Sequence, residues 1–221
     1  MKLLSKTLPL ALIPVMLGVA HAGTIVIDSG SSLPTWTANA TAATYGCGAV
    51  SGTAVAIAPN GAWNVIPGTS YVSCVDGTGA GPTVTLGNGS VVTFDQQVVI
   101  PVGEIVTGGT LLVQADDSTS VTSASFGLAV AEASSSGNAY ATCSDTAIGC
   151  LVSTQGNFAV MPGAGAGTYD IFFSTAQRAG VSFGLDYQLT VQTASVPEPA
   201  TLSLLGLGLA AVGVARRKRK A

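Results

Sequence analysis

The stretch Leu86-Gly-Asn-Gly-Ser-Val-Val-Thr-Phe-Asp-Gln-Gln-Val-Val-Ile100 decides the fold class of this 221-residue chain. It opens with Asn88-Gly89, a step that tolerates positive φ and is typical of a tight hairpin turn. The residues that follow are mostly β-branched or aromatic, and Val98 and Ile100 have the two-residue spacing of side chains on one face of a strand. The stretch therefore predicts a turn followed by a β-strand at residues 91–100.

The same alternation of β-branched runs and Gly/Asn/Asp/Pro turns extends in both directions, and almost nothing indicates helix. Many short strands without a fixed repeat period predict an all-β, antiparallel β-sandwich of the jelly-roll kind. The predicted strands cover residues 24–28, 54–58, 71–75, 83–86, 91–100, 109–115, 121–131, 158–160, 167–175 and 183–193.

Apolar residues that alternate within these strands predict the inward faces of two packed sheets. They are Val98/Ile100, Leu111/Val113, Phe126/Leu128/Val130, Tyr169/Ile171/Phe173 and Leu185/Tyr187/Leu189/Val191. Residues 134–156 are rich in Ser, Gly, Asn and Ala, and this composition predicts a long surface loop.

The N-terminus has the three parts of a secretory signal peptide. Lys2 and Lys6 precede a short apolar run, and Ala20-His21-Ala22 forms an A-x-A cleavage step. The run is shorter than the ~20 residues of a membrane span. We therefore predict a signal peptide at residues 1–22, export through the Sec translocase and a mature chain that begins at Gly23; an uncut N-terminal anchor is the alternative.

The C-terminus predicts a membrane segment. Residues 200–215 are apolar and Gly-rich, and as a helix they would span roughly 24 Å, short of a ~30 Å hydrocarbon core. A basic cluster follows, and it predicts that everything before Pro197 lies outside the cytoplasm. The cluster is Arg216, Arg217, Lys218, Arg219 and Lys220.

The order Pro197-Glu198-Pro199, apolar helix and basic cluster resembles the PEP-CTERM sorting signal of Gram-negative bacteria. The resemblance covers residues 195–221 and implies a transient inner-membrane anchor. It also implies that an exosortase recognises Pro197, Glu198 and Pro199, removes the tail, and leaves the protein at the cell surface or in the medium of an exopolysaccharide-producing cell. An ordinary tail anchor is the alternative.

Between the two signals, residues 23–194 are predicted to form one β-sandwich ectodomain. This part carries ten acidic residues and one basic residue, Arg178, which leaves it about nine charges negative (ten minus one). Such a surface repels phosphate backbones and so argues against nucleic acid as a partner.

The single histidine, His21, lies in the predicted signal peptide. The mature domain therefore lacks the imidazole of Ser-His-Asp and Cys-His nucleophile systems and of His-ligated zinc.

Four cysteines lie in the predicted exported part: Cys47, Cys74, Cys143 and Cys150. An even number in an oxidising compartment predicts disulfides. Three pairings are open, and we favour Cys47–Cys74 with Cys143–Cys150 because these partners are nearest in sequence. The loop-entropy model assigns roughly 3 to 4 kcal/mol to the first bridge and about 2.5 kcal/mol to the second. A metal–thiolate site is the alternative, but no C-x-x-C spacing supports it.

A second resemblance covers the ectodomain. Trp63 with Pro67-Gly-Thr-Ser-Tyr-Val-Ser73, the strand–turn–strand stretch at residues 109–121, and the segments 169–173 and 184–187 are similar to jelly-roll domains of secreted bacterial proteins. Those domains resemble galactose-binding-like sandwiches. The stretch after Asp117 departs from that pattern, with Thr122-Ser123-Ala124 where the family has an L-N-G step. Carbohydrate binding does not follow from the fold alone.

Two groups of residues are candidate sites. Asp116 and Asp117 could ligate Ca²⁺ with neighbouring hydroxyl and carbonyl oxygens, although a pair of aspartates in a turn more often ends a strand, and we favour that interpretation. An aromatic platform for sugar rings could be built from Trp36, Trp63, Tyr45 and Tyr71, but core packing is the favoured interpretation.

The sequence favours a non-enzymatic surface or matrix protein with a structural or adhesive role in biofilm, in contact with polysaccharide. A carbohydrate-binding module is the first alternative. A glycan-acting enzyme that uses two carboxylates is the second, with Glu104, Glu132 and several aspartates as candidates, although no spacing selects a pair. No cofactor is predicted apart from calcium.

Overall fold

The computed structural model describes residues 22–77, 86–130, 148, 150, 152–177, 182–196 and 206–211. They form two six-stranded sheets in which every pairing is antiparallel. The strands are β1 (Ala22–Asp28), β2 (Thr35–Ala38), β3 (Ser51–Thr53), β4 (Val55–Ile57), β5 (Tyr71–Ser73), β6 (Ser90–Ile100), β7 (Glu104–Asp116), β8 (Ser118–Ser123), β9 (Leu128–Val130), β10 (Gly156–Val160), β11 (Gly167–Gln177) and β12 (Gly184–Ser195). The predicted all-β antiparallel sandwich is confirmed.

The first sheet has the order β10-β7-β12-β5-β4, and β1 pairs with β12 on the same side as β5. The second sheet has the order β3-β2-β6-β11-β8-β9. The long strands β7 and β12 pair over almost their whole length, as do β6 and β11. Each sheet is thus built around one long antiparallel pair, and shorter strands extend it to the sides.

The core lies between the two sheets and includes most of the alternating residues that the sequence analysis placed there, while Val130 and Tyr169 are half-buried at its margin. Phe173 on β11 stacks on Tyr187 on β12 with ring centroids 4.5 Å apart, which joins the two sheets. Phe94 on β6 faces Phe183, just before β12, at 6.3 Å. All four rings are fully buried. Burial of a side chain of this size stabilises the fold by about 1.5–3 kcal/mol.

One predicted strand is wrong in its extent. The sequence predicts a continuous strand at residues 121–131, but the chain forms a helical turn at Ala124–Phe126 and folds back, so that Val121 pairs with Val130. Gly127 makes the reversal possible because its φ of 66° lies in the left-handed region that favours glycine.

The short strands β2 and β3 and the helical segment Ala40–Cys47 were not predicted. Asn39 starts that segment by accepting a hydrogen bond from the backbone N–H of Ala42 at 2.8 Å. Of the predicted strand 83–86, residues 83–85 lie outside the described part of the chain.

Candidate functional site

The predicted sorting motif follows directly on the last strand of the sandwich. Strand β12 continues to Ser195, which pairs with Glu104 on β7, and the Val196 N–H then donates to the Gly103 carbonyl at 2.7 Å. Ser195 is thus in a strand and not in a linker. Pro197, Glu198 and Pro199 lie outside the described residues, and Val196 is the last described residue before them.

The turn that receives Val196 is formed by residues 101–104. The Glu104 N–H donates to the Pro101 carbonyl at 3.1 Å, and Gly103 has a φ of 81°. This is the arrangement of a type II turn, which needs glycine at its third position. Val102, at the second position, is 96% exposed.

The predicted signal-cleavage boundary lies beside the sorting motif. Strand β1 begins at Ala22, whose Cα partner is Ala194, and Gly23 is opposite Thr193. A Cβ atom on Gly23 would meet the Thr193 hydroxyl at 2.7 Å, so a larger residue here would have to displace the Thr193 side chain. The two predicted boundaries are 172 residues apart in sequence (194 minus 22), and they meet where strands β1 and β12 of the first sheet begin and end.

The C-terminal apolar segment is described only at residues 206–211, which are helical and exposed. No helix in the described part of the chain is long and apolar enough to cross a membrane. The basic cluster Arg216–Lys220 lies outside the described residues, as do residues 1–21 of the predicted signal peptide at residues 1–22.

Cys47 and Cys74 form a disulfide, with 5.4 Å between their Cα atoms. The first predicted bridge is therefore confirmed. Cys150 is fully buried and is also disulfide-bonded. Its predicted partner, Cys143, lies outside the described residues.

The aromatic residues proposed as a sugar platform do not share one surface. Trp36, Trp63 and Tyr71 are buried, and Tyr45 alone of the four is exposed, at 67%. Trp63 and Tyr71 pack on each other with centroids 4.5 Å apart beside Ile57 and Cys150. The favoured interpretation, core packing, holds for these three, and the platform alternative is wrong.

Asp116 and Asp117 lie where the chain passes from β7 in the first sheet to β8 in the second, and both are buried. Burial, reinforced by the hydrogen bond and the charge of Asp117, raises the pKa of Asp116 to about 9, although a hydrogen bond from Trp63 acts in the opposite direction. At neutral pH the pair therefore holds a proton on Asp116. A shared proton is the expected state for two adjacent carboxyl groups that have little water around them.

A protonated pair is a poorer cation ligand than two carboxylates. The described residues contain no group of three or more His, Cys, Asp or Glu side chains that could hold a metal ion. Calcium at Asp116 and Asp117 stays a prediction, while the two residues do end β7, as the turn interpretation expected.

A buried acid that the sequence analysis did not single out, Asp186 on β12, organises the same end of the sandwich. Its carboxylate accepts hydrogen bonds from the Ile66 N–H at 2.9 Å, from the Thr69 hydroxyl at 2.5 Å and from the Ser29 hydroxyl at 3.1 Å. Burial raises the pKa of Asp186, and these three donors oppose that rise. The sequence signal was an aspartate placed between two apolar residues, Leu185 and Tyr187, that are directed into the core.

The comparisons with known proteins agree with the C-terminal assignment. The family model described as the PEP-CTERM protein-sorting motif matches residues 195–220. No curated protein and no solved structure matches the chain significantly, so the galactose-binding-like resemblance has no support from them. The chain is a PEP-CTERM sorting motif-containing protein with a β-sandwich ectodomain. The motif implies an exported protein that is transiently anchored in the membrane and has an exosortase as its processing partner.

Proposed function

We propose that the protein is a non-enzymatic component of the cell surface or of the extracellular matrix, with a structural or adhesive role in a polysaccharide-containing biofilm. The observation that carries the proposal is the pairing of Gly23, the predicted first residue of the mature chain, with Thr193, close to the sorting motif. Because both predicted cuts fall at the rim of one sheet, processing would leave a closed sandwich without a loose end.

The processing step is tested by replacing Pro197, Glu198 and Pro199 with alanine in a host that has an exosortase. We expect an unprocessed precursor that stays with the membrane fraction. Pro59→Ala, a change of one exposed proline far from the motif in sequence, is the matched control and should be processed normally. Normal release of the triple variant would contradict the proposal.

The matrix role is tested in the same strains by measuring biofilm mass and the amount of protein retained in the isolated matrix. We expect both to fall in the triple variant and in a deletion strain, because an unprocessed protein cannot reach the matrix. Unchanged biofilm in the deletion strain would contradict a structural role.

Carbohydrate binding is the second candidate function, and a groove on the second sheet favours it. Residues 32–35 and 95–97 line a concavity of about 340 Å³. Asp95 lies opposite Phe172, which is 40% exposed. Burial raises the pKa of the Asp95 carboxyl, and the nearby charge of Asp170 raises it further. A carboxyl group and an exposed aromatic ring suit the hydroxyl groups and the C–H face of a neutral sugar.

The second candidate is tested by affinity electrophoresis of the protein in gels that contain neutral polysaccharides. If the groove binds sugar, Asp95→Asn and Phe172→Ala should each abolish the retardation. Asp76→Asn, a change of an exposed aspartate elsewhere, should leave it intact.

The absence of catalysis is tested by incubating the protein with matrix polysaccharide and measuring new reducing ends. Among the candidate acids in the described part of the chain, Glu104 begins β7 and the Asp116–Asp117 pair ends it, so the long strand separates them. Glu132 lies outside the described residues. A rise in reducing ends would contradict the proposal.

A further inference from the structure

One end of the sandwich, here called the motif end, consists of residues 22–23, 99–105, 161–166 and 195–196. The β6–β7 turn, the β10–β11 loop and the ends of β1 and β12 meet there. The Val106 N–H donates to the Ala164 carbonyl at 2.8 Å, and Val196 is bonded to Gly103, so the parts are connected by backbone hydrogen bonds. These bonds attach the loop, the turn and the end of β12 to one another.

The motif end exposes apolar side chains that the core does not use. Val102 is 96% exposed at the tip of the turn, and Val99, Met161 and Val196 are 61%, 58% and 48% exposed. The loop at residues 161–166 reads Met-Pro-Gly-Ala-Gly-Ala and carries no polar side chain. An exposed apolar rim of this kind marks a surface that contacts a partner or a lipid phase.

The short length of chain between the motif end and the apolar segment determines which part of the precursor lies next to the membrane. The apolar segment begins at Ala200, four residues after Val196, and four residues reach at most roughly 14 Å. The twelve-residue strand β12 places the opposite end of the sheet roughly 40 Å farther away. While the tail is in the membrane, the motif end is thus the part of the ectodomain nearest the bilayer.

Charge favours the same orientation. Within the described residues of the motif end, Glu104 is the one charged side chain. Its Oε2 atom lies 3.5 Å from the position that a Cβ atom would take on Gly23. Signal cleavage after Ala22 would create an ammonium group on Gly23, and that cation would partly neutralise the carboxylate. The rest of the ectodomain is strongly negative and is repelled by an anionic membrane surface.

We infer that the motif end rests on the interfacial layer of the bilayer while the precursor is membrane-held, with Val102 and Val196 among the lipid headgroups. The inference rests on the proposed function, because it needs residues 200–215 to act as the anchor. A short tether converts a weak apolar contact into a persistent one, since the local concentration of lipid is high. The contact would hold the sandwich in one orientation and present Pro197–Pro199 at the membrane surface, where the membrane-embedded part of the tail begins.

The test uses the full-length precursor reconstituted into phosphatidylcholine vesicles that carry bromine near the top of one acyl chain. Val102→Trp places a fluorophore at the motif end, and Val50→Trp places one at an exposed valine near the other end of β6. The native Trp36 and Trp63 are buried and common to both variants, so the unsubstituted protein gives the background. We expect the brominated lipid to cause a loss of emission in Val102→Trp and no loss in Val50→Trp.

Flotation of the vesicles distinguishes failure of the membrane anchor from failure of the contact between the motif end and the bilayer. If the precursor does not float with the vesicles, the anchor fails, and with it both the proposed function and this inference. If it floats but the two variants are quenched equally, or neither is quenched, this inference alone is overturned. If emission in Val102→Trp changes only after exosortase is added, the motif end binds the enzyme and the membrane contact is likewise overturned.

Discussion

The two ends of this sandwich differ in almost every physical respect. The motif end is apolar and nearly uncharged, and its parts are connected by backbone hydrogen bonds and by the Tyr169 hydroxyl, which donates to the Gly165 carbonyl at 3.0 Å. The opposite end, here called the acidic end, contains residues 28–32, 74–77, 116–118 and 184–186. It carries five aspartates: Asp28, Asp76, Asp116, Asp117 and Asp186. It also holds the Cys47–Cys74 disulfide and the Asp186 hydrogen-bond network.

The difference shows how one fold can divide two tasks between its ends. At the acidic end, covalent and polar contacts fix loops that lie far apart in sequence, as when Asp186 accepts from Ile66 and Ser29. At the motif end the side chains contribute little to stability, because several of them are exposed. Substitutions should therefore affect stability at one end and membrane contact at the other.

The largest expected effect is loss of the disulfide at the acidic end. The double substitution Cys47→Ala, Cys74→Ala should lower the free energy of unfolding by about 3–4 kcal/mol, because the bridge closes a loop with a sequence separation of 27. Urea unfolding of the exported protein under non-reducing conditions measures the change. A loss below about 1 kcal/mol would mean that the bridge does not constrain the unfolded chain as the loop-entropy model assumes.

The second prediction concerns the buried Asp186 carboxylate, whose removal should lower the free energy of unfolding. Asp186→Ala should cost about 2–4 kcal/mol, because the Ile66 N–H loses its acceptor inside the protein while Ser29 and Thr69 keep alternative ones. Asp76→Ala removes an exposed aspartate from the same end and is the matched control. If the two variants unfold at the same urea concentration, the Asp186 network does not stabilise the acidic end.

A third effect is expected at Asp116, and it depends on pH. The pKa of its carboxyl is raised to about 9 in the folded protein, against an ordinary value of 3.8, so the folded state binds more protons than the unfolded state between these values. Its contribution to stability is complete below about pH 4 and is lost as the pH rises toward 9.

The Asp116→Asn variant should lack this component, because an amide stays neutral and can still donate to Asp117. The measurement is the difference in unfolding free energy between wild type and variant at several pH values from 4 to 9. A difference that does not change with pH would show that the Asp116–Asp117 pair carries no extra proton.

The smallest effect is expected at the motif end. Val102→Ser should change the free energy of unfolding by less than about 0.5 kcal/mol, since the side chain is almost fully exposed. Thermal unfolding of the released protein checks this value. A large destabilisation would mean that the motif end contributes to the core, and the contrast between the two ends would disappear.

The sequence predicted the parts of this molecule that depend on local chemistry. Alternation gave the inward faces of β6, β7, β11 and β12, and the order of prolines, apolar residues and cations gave the sorting motif. Proximity in sequence gave the Cys47–Cys74 bridge. Each of these signals is contained within a few dozen neighbouring residues.

Features that depend on tertiary pairing could not be read in this way. The return of β9 onto β8 depends on Gly127, whose role is visible only when its φ is known. Strand β2 has only four residues, too few to give a clear alternation, and its strand becomes evident only through its pairing with β6. The meeting of Ala22 with Ala194 has no local signal at all.

That meeting also sets the order of events during export. If export proceeds through the translocase as predicted, β1 crosses first and its partner β12 among the last, so the first sheet cannot close until nearly the whole sandwich has crossed. Pairings between such distant segments form slowly, because the entropy cost of closing a long loop comes before the stabilising contacts can form. The end of translocation and the arrival of the sorting motif at the membrane are therefore nearly simultaneous, and the first sheet is completed only after them. We infer that an exosortase meets its motif on a chain that has only just become able to fold.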